Sequence, residues 1–209
     1  MKALRGLSLL LSALALIGLL PAARAEAAPD VDRLAQSVVR LEVFDARGER
    51  LGTGSGFALG DPAVLVTAAH VIENMATMTA WRDDGTAFQV DGALDADRDA
   101  DVALCPLPED AGLTPLAAAG EAPRRGADVL VISSQFGLTN LVSKGVLCGW
   151  WNSGEADWLL FTAPVSGGSS GGPVFNEAGE VVGVVTGTYE KGQNLNLAAP
   201  VDVALGLMK

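Results

Sequence analysis

The chain has one histidine and two cysteines in 209 residues, and that scarcity removes several classes at once. Two cysteines cannot staple a disulfide-dense scaffold. Cys105, Cys148 and His70 lie far apart and lack zinc-ligand spacing, so neither a metal nor a cofactor is expected. Two buried free thiols are the favoured reading of the cysteines, and a bridge stays open because pairing depends on geometry. Basic residues are also scarce, at 14 Lys and Arg against 25 Asp and Glu. Three of them, Lys2, Arg5 and Arg24, fall in the first 25 residues, which hold no acid until Glu26. Without that stretch, 11 basic residues face 25 acidic ones over 184 residues, a net charge of −14. Such a surface repels polyanions, so nucleic acid and anionic membranes are poor partners.

Long apolar runs are absent with one exception, Leu7 to Leu20. Lys2 and Arg5 precede it, Pro21 follows it, and Ala23-Arg24-Ala25 has the small-x-small form of a cleavage site. A charged start, a short apolar core and a small-residue end describe a secretory signal peptide over residues 1–25. The core is short for a bilayer span, so an uncleaved anchor is the lesser alternative and no membrane insertion is expected after cleavage. An acidic, alanine-rich chain with a simple export signal suggests a bacterial envelope protein, periplasmic or secreted.

The remainder suits one compact unit or two lobes sharing a core. Residues 31–39 read as a helical turn running into a strand at 38–44, and residues 47–50 read as a hairpin turn. Short apolar runs follow at 56–59, 64–67, 75–81, 87–94 and 102–107, separated by Gly, Asp or Pro. A second series occupies 128–133, 141–147, 158–162, 172–175, 181–186 and 195–199. Strands of that length and spacing predict an all-β chain, two packed six-stranded antiparallel barrels. The proline-rich segment 108–127 reads as the connector between an N-terminal lobe, 26–107, and a C-terminal lobe, 128–209. Residues 200–209 predict a short closing helix with Pro200 in its first turn and Val201, Leu205 and Met208 on one side.

Three stretches can carry chemistry. "SGGSSGGPVFN", residues 166–176, looks by composition like a flexible Gly/Ser linker. It can equally be a tight turn exposing a serine, because glycines on either side let backbone N–H groups converge on one point. Within it, Ser170 has Gly168 two residues before and Gly171-Gly172 after. Serine catalysis needs a base, and His70 in "VLVTAAHVI" is the sole histidine, so any such base is His70. Taken alone, a single histidine near a strand end is unremarkable. The base in turn needs an orienting carboxylate. Among Asp95, Asp97, Asp99 and Asp101, only Asp101 leads directly into the apolar run Val102-Ala103-Leu104, and Asp99 is the reserve.

In this order the motifs resemble the chymotrypsin-fold (trypsin-like) serine proteases, closest to the HtrA/Deg branch. The resemblance rests on "GTGSGF" at 52–57, "VTAAHVIENM" at 66–75, "DADVALCPL" at 99–107, "SQFGLTNLVSKGVL" at 134–147, "GSSGGPVFNEAGEVVGVVTG" at 168–187 and "LNLAAPVDVA" at 195–204. It implies a serine endopeptidase acting on polypeptides through His70, Asp101 and Ser170 and an acyl-enzyme intermediate. It also implies an oxyanion hole from the backbone of Gly168, Ser169 and Ser170. The substrate pocket would draw on Pro164, Thr186, Gly187, Thr188 and Leu197. Pro164 stands where proteases cutting after Lys or Arg have an acid, so a small-to-medium apolar side chain is the expected fit. Thr186 and Thr188 are expected to pair with an extended substrate. Ser169 replaces the branch's usual asparagine. The branch usually appends a PDZ domain, for which the residues up to Lys209 leave no room, so PDZ-based sensing is not expected. Homo-oligomers are common in the branch, and one is possible here by that analogy. Two other readings use the same residues: a protease-fold binding or chaperone protein with little turnover, and an ester hydrolase.

Overall fold

The computed structural model describes residues 28–189 and 191–209; the expected signal peptide lies outside the described residues. The described part of the chain is all-β apart from short helices. Helix α1 (Val31–Ala35) opens it, with the Asp30 carboxylate accepting a bond from the Arg33 N–H at its start. Seven strands then form the first lobe: β1 (Val38–Phe44), β2 (Arg50–Leu59), β3 (Val64–Thr67), β4 (Thr77–Trp81), β5 (Ala87–Asp91), β6 (Asp95–Asp97) and β7 (Val102–Pro106). Their order across the sheet is β5-β4-β1-β2-β3-β7-β6, every pair antiparallel. This lobe differs in detail from a six-stranded closed barrel. It is a curled sheet with an extra strand, because the acidic stretch Asp95–Asp97 pairs along β7 where its sequence reads as a turn.

The second lobe closes fully. Strands β8 (Asp128–Gln135), β9 (Leu138–Asn152), β10 (Asp157–Phe161), β11 (Pro173–Phe175), β12 (Val181–Thr188) and β13 (Asn196–Pro200) form a barrel in the order β10-β13-β12-β11-β8-β9. Helix α2 (Val201–Leu207) ends the chain, with Pro200 in the capping position just before it rather than in its first turn. The segment between the lobes touches both, through bridges from Leu116 to Leu59 and from Ala118 to Val181.

One apolar core spans the seam. Phe57, Leu59, Val66, Val102 and Leu104 of the first lobe pack with Ile132, Phe175, Val184 and Ala199 of the second, and Val201 and Ala204 of α2 join them. Asn140 of β9 reinforces the seam by donating from Nδ2 to the carbonyls of Ala35 and Val38. Among the described residues no helix is long and apolar enough to cross a membrane. Both cysteines are free, but Cys148 is exposed rather than buried. Cys105 is buried, and loss of solvation pushes its thiol up to about 12, which removes it as a nucleophile at neutral pH.

Because Phe175 is fully buried in this shared core, Phe175→Ala should destabilise the fold by about 3–5 kcal/mol. A urea titration should show one transition at a lower midpoint, and two separated transitions would mean that the lobes do not share stability.

Candidate functional site

Strand β3 ends at Thr67, and a single 3-10 turn, Ala69–Ile72, lifts His70 out of the sheet. Its neighbour β7 starts just after Asp101. The β3–β7 register pairs Thr67 with Ala103, which brings the end of one strand beside the start of the other. Asp101 adopts a left-handed backbone, φ +55°, a conformation L-residues rarely take. With that geometry its carboxylate grips His70 twice. Oδ1 accepts from the His70 backbone N–H at 2.8 Å, and Oδ2 meets Nδ1 at 2.7 Å. The Asp101 carbonyl also accepts from the Ala69 N–H. A carboxylate on Nδ1 keeps the proton there and leaves Nε2 as the free acceptor. The bond to Asp101 raises the His70 pKa above 6.5, against a smaller opposing effect of burial. The other three aspartates do not reach the ring. Asp97 accepts from the N–H groups of Asp99 and Ala100, and Asp95 from that of Ala96.

The serine turn comes from the other lobe. It precedes β11 and folds over the end of β2, where the Ser55 N–H donates to the Ser170 carbonyl at 2.8 Å. Gly171 (φ +86°) sits so close to β2 and β3 that a Cβ would overlap the Ser55 carbonyl and Thr67 Oγ1. Gly168 (φ +98°) is pinned from the other side, where a Cβ would come within 2.5 Å of the Ser134 carbonyl. The carbonyls from Ser166 to Ser170 are all engaged. Gly167 O accepts from the Phe136 N–H, Gly168 O from Ser55 Oγ and Ser169 O from the Gly172 N–H. Among the described residues the N–H groups of Gly168 and Ser170 have no acceptor, whereas that of Ser169 donates to Ser166 O at 2.9 Å. Two free donors flank Ser169, and Ser169 itself is committed to the turn. Its buried hydroxyl accepts from Ser133 Oγ and the Ser166 N–H, so it packs the turn from inside. The Ser170 hydroxyl donates to the Thr186 carbonyl at 3.3 Å and makes no hydrogen bond to His70 in this state.

A cavity of about 340 Å³ beside Ser170 is lined by Val165, Ser166, Gly167, Ser169, Ser170, Val185, Gly187 and Thr188, none of them charged. Gly187 and Thr188 are thus at the cavity; Pro164 is exposed outside it. Thr186 and Leu197 stand behind it, joined by the bond from Thr186 Oγ1 to the Leu197 carbonyl. Past Val185, β12 pairs only with β13, so one edge of Thr186–Thr188 has no backbone partner among the described residues. A second cavity, about 480 Å³, lies across the Gly167–Gly168 peptide and is lined by Arg50, Thr53, Phe136, Gly137, Gly167 and Gly168. Sequence reasoning did not single out Ser55 or Phe136. A serine between glycines in a buried strand was the available signal for the first; the second acts through its backbone and gave none. Among the described residues no cluster of His, Cys, Asp and Glu could hold a metal.

Residues 54–184 match the family described as the trypsin-like peptidase domain. The chain belongs to that family. It is 33% identical over 172 residues to Serine protease HTRA1 of Xenopus laevis, covering 75% of this chain and 37% of that one. It is 30% identical over 181 residues to Anti-sigma-I factor RsgI9 of Acetivibrio thermocellus, covering 86% of this chain and 25% of that one. The chain therefore spans only a quarter to two fifths of these relatives. A protease from M. tuberculosis in its active form superposes with a TM-score of 0.76 at 23% identity, over 91% of this chain and 92% of the other. The serine endoprotease of Yersinia pestis gives 0.74 at 22%, over 86% and 65%. The fold is thus chymotrypsin-like, and the relatives put the chain with the HtrA branch.

The single histidine makes its charge directly readable. The His70 Cε1 proton should titrate in an NMR pH series with a midpoint above 6.5, and Asp101→Asn should lower that midpoint. The sign follows from the bond favouring the imidazolium, so the pair's contribution to stability is full below 6.5 and fades as pH rises through the raised value. A midpoint that Asp101→Asn leaves unchanged would contradict the geometry. Gly171→Ala should prevent the turn from seating, read as loss of cooperative unfolding or a fall of about 3 kcal/mol or more.

Proposed function

We propose that the chain is a serine endopeptidase of the cell envelope whose nucleophile is Ser170, with His70 as base and Asp101 as its orienting group. One observation carries this reading: the histidine held by a carboxylate on Nδ1 follows the Thr67–Ala68 segment against which Gly171 packs, next to a serine turn whose Gly168 and Ser170 N–H groups are free. For attack, the Ser170 hydroxyl rotates from the Thr186 carbonyl toward His70 Nε2, which takes its proton as Oγ adds to the scissile carbonyl. The oxygen that becomes negative is met by the N–H groups of Gly168 and Ser170. Asp101 stabilises the imidazolium formed, and that imidazolium then protonates the leaving amine. Water repeats the sequence on the acyl-enzyme and frees Ser170.

The uncharged 340 Å³ cavity fits a small-to-medium apolar side chain on the acyl side of the cut bond. The unpartnered edge of Thr186–Thr188 accepts an extended polypeptide by strand addition. Export through residues 1–25 would bring the enzyme to the periplasm or the medium. The second reading, a binding or chaperone protein, draws on the resting Ser170 hydroxyl, which lies on Thr186 rather than His70.

A fluorophosphonate probe and unfolded casein separate the two. The probe should label the parent and Ser166→Ala but not Ser170→Ala, and casein cleavage should fall about 10⁴-fold or more in Ser170→Ala. Equal cleavage by Ser170→Ala would refute the nucleophile assignment. Absence of labelling, with casein bound but intact, would instead establish the binding reading.

A further inference from the structure

We propose that Ser55 is a positioning residue for this reaction, its hydroxyl holding the oxyanion turn in register from the opposite lobe. The inference rests on the peptidase reading above and adds a group outside the three residues it names. Ser55 is fully buried in β2, a strand of the first lobe, yet most of its bonds run to the second. Its Oγ donates to the Gly168 carbonyl at 2.8 Å and accepts from the Ser134 N–H at 2.8 Å. Its N–H donates to the Ser170 carbonyl, while its own carbonyl accepts from Thr67 Oγ1 at 2.7 Å. One residue therefore fixes the carbonyls on both sides of Ser169 and joins them to the end of β8.

The consequence follows from how a peptide unit rotates. A carbonyl and the next residue's N–H turn together about the backbone, so fixing the Gly167, Gly168 and Ser170 carbonyls fixes which N–H groups remain free. Gly167 is held by the Phe136 N–H, a backbone donor no substitution of Ser55 removes. Gly168 O has only the Ser55 hydroxyl as a partner among the described residues. Gly168 is a glycine at φ +98°, so its own conformational preferences do not hold it against rotation. Loss of the hydroxyl also strands the Ser134 N–H, a donor in a residue only 2% exposed. Those two groups regain partners most simply if the Gly168–Ser169 peptide turns and the end of β8 shifts at Ser134; Phe136, two residues on, then carries the Gly167–Gly168 peptide with it and moves the free Gly168 N–H off the developing oxyanion. A buried serine that merely satisfied its neighbours would affect stability alone. Ser55 differs because its partners are the backbone of the turn that supplies the donors.

Substrate binding should escape. Val165, Val185, Gly187 and Thr188, the part of the cavity lining and strand edge outside the turn, make no hydrogen bond to Ser55. Ser55→Ala should therefore lower kcat about 10- to 100-fold with KM nearly unchanged, short of the ~10²–10³ lost when an oxyanion donor itself is deleted. Labelling by the fluorophosphonate should slow by a similar factor, a peptide boronate should bind correspondingly more weakly, and the cleaved product peptide should bind as before. The His70 titration should not move. Ser55→Cys, close in size but a weak hydrogen-bond partner, should show the same split and serves if the alanine variant does not fold. Unchanged kcat in a folded Ser55 variant, with parent turnover that depends on Ser170, would overturn this inference alone. So would full activity in Ser55→Cys. Parent turnover indifferent to Ser170→Ala would overturn the peptidase reading and this inference with it.

Discussion

The turn that bears Ser170 is seated by the lobe it does not belong to. Two of its carbonyls, those of Gly168 and Ser170, hang on the hydroxyl and N–H of Ser55, and Gly171 presses so close to β2 and β3 that no side chain fits there. His70 and Asp101 are carried by the same first lobe, at the adjoining ends of β3 and β7. Contact between the lobes therefore does more than bury apolar surface. It brings a serine from one sheet to a histidine–aspartate pair on another. The shared core of Phe57, Val66, Ile132 and Phe175 beneath the seam supplies the cohesion that this docking needs.

The three polar residues have different mechanical situations. Asp101 is locked by two bonds to one residue and by a backbone conformation few side chains tolerate. His70 is held at Nδ1 and remains about half exposed, and its Nε2 has no hydrogen-bond partner among the described residues. The Ser170 side chain is held by one long hydrogen bond, its hydroxyl donating to the Thr186 carbonyl at 3.3 Å. On the proposed reading, a firmly held base and orienter face a hydroxyl that must leave the Thr186 carbonyl before it can meet the histidine.

Much of this was legible in the residues. The strands of the second lobe were visible because short apolar, β-branched runs such as Val181–Thr186 are bounded by turn residues, and a closed barrel lets each run stand as one strand. Asp101 could be separated from Asp95, Asp97 and Asp99 because only it abuts a buried strand. Other features depend on partners distant in sequence. Asp95–Asp97 is a strand only because β7 offers it a hydrogen-bonding edge, a fact absent from its own acidic sequence. Leu197 stands outside the cavity, since which side of a strand a residue lines follows from register, and Pro164 lies exposed in the loop between β10 and β11. The Ser169 N–H looked like a third oxyanion donor until its bond to Ser166 accounted for it. Ser55 was hidden most deeply, because its importance lies in the glycine turn more than a hundred residues later that it touches.

The central claim is that two backbone N–H groups, of Gly168 and Ser170, await an oxyanion formed on Ser170. A crystal structure of the protein inhibited by a peptide boronate tests it most directly. The account predicts a covalent bond from Ser170 Oγ to boron, one boronate oxygen within hydrogen-bonding distance of both N–H groups, and His70 Nε2 facing another. A boronate bonded elsewhere, or one whose oxygen points away from Gly168 and Ser170, would contradict it.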